Sequence, residues 1–128
     1  MKITSFNPSI VTKDIDAVVS VFEALGFKKK HNPTGTSALG HEYVSYRMTD
    51  ANGFAVDVSK STATQGQDLT AIRMNVDDFD EAYEFLTARG FINAQSGTVT
   101  DTGSAKACIL YSPSGFSINL IQHIKNRD

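Results

Sequence analysis

Few side chains in this 128-residue chain have the types needed for chemistry, and most of those few can be set aside on spacing alone. His31, His41 and His123 share no metal-ligand spacing, and His41-Glu42 is not followed by the second histidine of a zincin helix. Each is expected as a surface or core histidine. Cys108 would be a nucleophile only beside a base, and no base adjoins it in sequence, so a small buried thiol is expected. Asp77-Asp78 and Asp80-Glu81 look like paired carboxylates, but acidic residues at the positive start of a helix explain them fully. Gly35 to His41, "GTSALGH", lacks the Lys-Ser/Thr of a phosphate loop. What remains is Asp57 in "FAVDVS", Arg73 in "AIRMNV" and Asn119 in "FSINLIQ", each a polar residue inside an apolar, strand-like run.

The elements that hold these residues are written twice. In "DIDAVVSVFEALGF", Asp14 to Phe27, the residues Ile15, Val18, Val19, Phe22 and Leu25 form one helical stripe. Asp14 and Asp16 favour its start, and Gly26-Phe27 reads as a left-handed C-cap with an apolar residue folding back. "DFDEAYEFLTARGF", Asp78 to Phe91, repeats the pattern 64 positions later, with Phe79, Ala82, Tyr83 and Leu86 as its stripe. A strand-like run precedes each helix, "FNPSIVT" and "LTAIRMNV". A hairpin follows each, turning at Asp50-Ala51-Asn52-Gly53 and at Ser112-Pro113-Ser114-Gly115. Gly53 and Gly115 are 62 apart, as are Asp57 and Asn119. The reading is an internal repeat: module 1 over about 1–60, a polar linker over 61–68 and module 2 over about 69–124, in one domain spanning 1–128. A unit of about 60 residues buries too little surface to stand comfortably alone, so the two are expected to share one sheet.

The element order, "DIDAVVSVFEALGF" and "SPSGFSINLIQ" resemble the vicinal oxygen chelate superfamily, which includes glyoxalase I, extradiol dioxygenases, methylmalonyl-CoA epimerase and the bleomycin-resistance proteins. The resemblance covers nearly the whole chain. It implies an α+β fold: two βαβββ modules in tandem, forming a curved, cleft-lined mixed sheet with the helices on its outer face. It also implies a homodimer.

Strand alternation then sorts the side chains by face. Ile10, Ile72, Met74, Val76, Phe116, Ile118, Leu120, Val56 and Val58 are expected toward the helices. Asn7, Ser9, Asp57, Arg73, Asn75 and Asn119 are expected toward the cleft as ligand-binding residues. Pairing Thr49 with Phe54 across the first turn would add Tyr46 and Met48 to the cleft, and the repeat would add Cys108 and Leu110. A slip of one residue would swap those faces. Arg73 has three readings: paired with Asp57 across the site, reaching solvent, or holding an acidic or planar ligand.

Enzymes of the resembled superfamily mostly hold one divalent ion, using His or Glu on the first strand and Glu on the last strand of each module. By the repeat, the four places hold Asn7, Asp57, Ala71 and Asn119 here. One carboxylate, two weak amide donors and an alanine are not a transition-metal site, so no metal and no cofactor are expected. Two functions follow. The first is a metal-independent protein that binds a small molecule in the cleft. The alternative is an enzyme of the same superfamily, a lyase, isomerase or dioxygenase, using unusual ligands or Asp57 as a metal-free base.

The bulk numbers fit either function. The formal net charge is −2 with 12 basic and 14 acidic residues, and no basic run exceeds Lys28-Lys29-Lys30, so no nucleic-acid partner is expected. No stretch approaches the roughly 18 apolar residues of a membrane span, so no membrane partner is expected either. A lone cysteine and the absence of an apolar signal core point to a cytoplasmic protein.

Overall fold

The computed structural model describes residues 1–31, 34–36, 42–60, 67–94, 97–101 and 103–123. Residues 61–66 of the expected linker, with His41 and most of Gly35 to His41, lie outside them. The first module runs β1 (Ile3–Thr12), α1 (Ile15–Ala24), β2 (Lys28–His31), β3 (Thr34–Thr36), β4 (Glu42–Thr49) and β5 (Ala55–Lys60). The second runs β6 (Leu69–Val76), α2 (Phe79–Thr87), β7 (Ile92–Asn93), β8 (Thr100–Asp101), β9 (Ala105–Tyr111) and β10 (Ser117–His123).

Both helices start and stop by the same means. Asp14 accepts a hydrogen bond from Ala17 N, and Asp78 accepts one from Glu81 N, each 3.1 Å long, which satisfies an orphan donor of the first turn. At the far ends, Gly26 (φ 102°) and Gly90 (φ 95°) turn left-handed, so that Phe27 N reaches Phe22 O and Phe91 N reaches Leu86 O. Leu25, expected on the apolar stripe, is instead exposed at the C-cap of α1, one turn beyond the part of the helix that meets the sheet.

The strands form one mixed sheet in the order β2-β4-β5-β1-β6-β10-β9-β7, with β3 on β4 and β8 on β9, curled into a half-barrel. Within each module the first strand pairs in parallel with the last, β1 with β5 and β6 with β10. The modules join where β1 and β6 run antiparallel, Asn7 opposite Arg73 and Ser9 opposite Ala71. Pro8 is tolerated inside β1 because the ladder to β5 begins only at Ser9. The repeat is visible in the register. Ser9 pairs with Asp57, and Arg73, 64 positions after Ser9, pairs with Asn119, 62 positions after Asp57.

Each helix covers its own module. Ile15 and Val19 of α1 pack on Met48, Val56 and Val58. Phe79, Ala82 and Leu86 of α2 pack on Met74, Val76, Cys108, Leu110, Ile118 and Leu120. Both cores thus lie on the convex side, which sends the alternate residues of β1, β5, β6 and β10 to the concave side.

Candidate functional site on the concave face

The hairpin turns decide which residues reach the concave face. Asp50 N donates to Phe54 O, Gly53 N donates to Asp50 O, and Gly53 has φ 87°. Asp50 Oδ1 accepts from Asn52 N and Phe54 N. This is a three-residue loop closed by Asp50 and Phe54, with glycine left-handed at its end. The pairing is therefore Thr49 with Ala55 and Arg47 with Asp57, one residue from the expected register. Ser112, Gly115 and Phe116 repeat this turn in module 2, Ser112 N donating to Phe116 O over 2.8 Å.

The slip exchanges the faces of the middle strands. Met48 is fully buried against α1, and Tyr46 and Val44 pack on the same core. Cys108 and Leu110 are buried against α2. None of these faces the cleft, which corrects the expectation for Tyr46, Met48, Cys108 and Leu110. Arg47 takes the place beside Asp57. Burial pushes the Cys108 thiol up to about 12, which makes it inert rather than nucleophilic.

At the floor of the concave face Asp57 is 1 % exposed. Asn7 Nδ2 donates to its Oδ2 and also to Pro8 O. Arg73 Nη1 lies 3.0 Å from Oδ1, an ion pair whose N–H does not point at the oxygen, so Oδ1 accepts no hydrogen bond among the described residues. Arg47 Nη1 stands 3.7 Å from Oδ2 and donates to Asn7 Oδ1 over 3.3 Å. Arg73 also donates from Nε to Asn75 Oδ1, 3.0 Å away, and its Nη2 lies 3.3 Å from His123 Nε2. Burial pulls the Arg73 guanidinium below its ordinary range. Asp57 works against that shift, and the like charge of Arg47 adds to it. Ser9, opposite Asp57 in the ladder, is wholly buried, and its Oγ makes no hydrogen bond among the described residues. Asn119 is half-buried on the strand beside Arg73.

The expected residues Asn7, Ser9, Asp57, Arg73, Asn75 and Asn119 thus share the concave face. Sequence reasoning missed Arg47 and His123. The alternation Val44, Tyr46, Met48 against Ser45, Arg47, Thr49 carried the signal for Arg47. The β10 series Ser117, Asn119, Ile121 extends to His123.

The residues present do not fit a transition metal. Asn7, Asp57, Ala71 and Asn119 occupy the four expected places, and an ion at Asp57 would stand beside two guanidiniums. Among the described residues no group of three or more His, Cys, Asp or Glu could hold a metal ion. No helix is long and apolar enough to cross a membrane.

This architecture is the vicinal oxygen chelate fold. A glyoxalase/bleomycin resistance protein/dioxygenase superfamily member from Vibrio splendidus 12B01 superposes with a TM-score of 0.55 at 19% identity, over 94% of this chain and 99% of that one. Methylmalonyl-CoA epimerase from Mycobacterium tuberculosis gives 0.64 at 13% identity, over 94% and 89%. Glyoxalase I from Zea mays gives 0.63 at 16% identity, over 98% of this chain but only 45% of the maize protein. No protein-family model matches the chain, and no curated protein matches it in sequence.

Proposed function

We infer that the protein binds a small organic molecule on the concave face of the half-barrel, without a bound metal. The observation that carries this reading is the Arg47–Asp57–Arg73 cluster on the face opposite both cores. Desolvating such charges offsets much of their attraction, so a buried ion cluster is a weak source of stability. A binding site gives it a use. Concave faces with a few convergent polar groups are where small ligands are held. The test is a small-molecule panel read by thermal shift, with and without divalent metals. A ligand binding only the folded state raises the melting temperature by mass action. Metal-independent shifts that Arg47→Gln diminishes support the reading. Close to one Zn, Ni, Fe or Mn per purified chain, lost on mutating Asp57, overturns it. Turnover of the bound compound would replace binding by catalysis with Asp57 as base.

A homodimer belongs to the same reading. A groove of about 400 Å³ lies over β1, β6 and the start of β10, lined among others by Phe6, Asn7, Pro8, Ala71, Ile72 and Phe116, with Phe6 64 % exposed. Exposed aromatics in such a groove suit a second chain. Sedimentation equilibrium checks this, and a monomer at micromolar concentration rejects it.

A further inference from the structure

We propose that the ligand of the concave face is a singly charged carboxylate, gripped by Arg47 and Arg73 while Ser9 takes over Asp57. The proposal rests on the reading of this face as a binding site and names the class of ligand it takes.

Charge comes first. The cluster sets two guanidiniums against one carboxylate, so the three groups together carry one positive charge in excess. A monoanion neutralises that excess, whereas a dianion reverses it. Geometry points to a carboxylate, because Asp57 already shows how a planar two-oxygen group sits here: Arg73 on Oδ1 and Arg47 on Oδ2. A guanidinium has five donors, and among the described residues Arg47 spends them sparingly, with one contact at 3.3 Å and one at 3.7 Å on a side chain 37 % exposed. It is the arm that can turn to a ligand at least cost.

The second point is Ser9. A buried hydroxyl without a hydrogen bond is costly, and among the described residues neither Ser9 Oγ nor Asp57 Oδ1 makes one, on positions that face each other in the ladder. When Arg73 moves from Asp57 to a ligand carboxylate, Oδ1 loses its cation. Ser9 can then donate to it, while Asn7 keeps Oδ2. Both Asp57 oxygens then have donors, and the guanidinium is released to the ligand. Ser9 therefore contributes only when the anion is bound, which separates it from a structural residue.

The experiment uses butyrate and benzoate as sodium salts, with butyramide and benzamide as neutral isosteres, and succinate and inorganic phosphate as dianions, at fixed ionic strength and a mildly alkaline pH at which phosphate is the dianion. Titrations are followed by backbone amide NMR shifts on β1, β5 and β6. The monocarboxylates should give saturable shifts there, and the amides and dianions much weaker ones. Arg73→Gln and the more exposed Arg47→Gln should each weaken binding by about tenfold or more. Ser9→Ala should weaken it severalfold with no loss of melting temperature, and Lys106→Gln on β9, whose ammonium pairs with Asp80 of α2, should change nothing. Amides binding as well as carboxylates on these strands would overturn the charge class but leave the binding face standing. Stronger phosphate binding would overturn the monoanion. Carboxylate shifts mapping to the convex side, unaffected by Arg47→Gln, would overturn both proposals. Absence of any carboxylate binding, or a Ser9→Ala variant that loses stability and keeps affinity, also overturns this one.

Discussion

Arg73 Nη1 and Asp57 Oδ1 lie 3.0 Å apart although the two residues belong to different modules and to strands that are not neighbours. β1 separates β5 from β6, and the pair reaches across it on the concave side. The backbone around the pair is symmetric and the chemistry is not. Module 1 supplies the carboxylate and Arg47, while module 2 supplies Arg73 and, at the place equivalent to Asp57, the neutral Asn119. The ion pair therefore ties the two halves together only as they stand here.

Its energetics follow from burial. Asp57 is 1 % exposed and the Arg73 side chain 15 %. Removing one partner strands a desolvated charge, at a cost of about 3–5 kcal/mol when nothing relieves it. Asp57→Asn should approach that loss, because Arg73 then faces Arg47 without a carboxylate between them. Arg73→Met should cost less, since Arg47 and Asn7 still attend Asp57. The double variant Arg73→Met with Asp57→Asn should regain most of the stability, as replacing a buried pair is often nearly neutral. Urea unfolding of the four proteins checks this. Losses that simply add in the double variant would show that the two residues do not act as a pair.

The two helix ends offer a matched comparison. Gly26 and Gly90 occupy equivalent left-handed positions, but a Cβ on Gly26 meets nothing within 4 Å, while one on Gly90 comes 2.9 Å from Pro113 Cγ. Gly26→Ala should cost only the backbone term, about 1–2 kcal/mol. Gly90→Ala should cost more, and combining it with Pro113→Ala should bring it down to the Gly26→Ala value. Equal melting temperatures for the two single variants would refute the contact.

Much of this was legible in the sequence, and the one large miss has a single cause. The helices, their caps, both turns and the concave placement of Asn7, Ser9, Asp57, Arg73, Asn75 and Asn119 follow from apolar alternation and the 64- and 62-residue echoes. The faces of β4 and β9 depend instead on how the hairpins close. Asp50 and Ser112 use their side chains to cap their own loops, which shortens each loop to three residues and moves the ladder by one. A shift of one residue inverts every side chain on the strand. Tyr46, Met48, Cys108 and Leu110 went to the core by that inversion, and Arg47 came to the site. The Arg73–His123 and Ser9–Asp57 relationships were out of reach for a different reason. They depend on side-chain reach and the order of strands across the module junction, which no local pattern encodes.

That inversion makes its own prediction. Leu110 is fully buried in the module 2 core, so Leu110→Ala should lose about 2–5 kcal/mol of stability. Its affinity for any concave-face ligand should be unchanged at temperatures where the variant is folded. Arg47→Gln should do the reverse, because a partly exposed charge contributes about 0–1 kcal/mol to folding. Isothermal titration beside thermal melts separates the two effects. A Leu110→Ala variant that stays stable and loses ligand would place β9 in the register first expected.

Cys108 gives the clearest pH signature. Burial raises its thiol from 9.0 to about 12 in the folded chain, and it is enclosed by the module 2 core. The sign follows from proton counts. Below pH 9 the thiol is protonated in both states, and its packing contribution is fully present. Between about 9 and 12 the unfolded chain releases the proton and the folded chain does not, so stability falls as pH rises, by about 1.4 kcal/mol per pH unit for one group. Lysines and tyrosines also titrate there, so the comparison is with Cys108→Val, which keeps the apolar volume and loses the proton. Relative to that variant, the wild-type protein should weaken steadily from pH 9 to pH 11 and run parallel to it from pH 7 to pH 8.5. Iodoacetamide at pH 8 should label Cys108 only when urea opens the core. If the two proteins keep a constant difference up to pH 11, or if the folded protein is alkylated at the rate of an exposed thiol, then the thiol lies outside the core and the register of β9 must be redrawn.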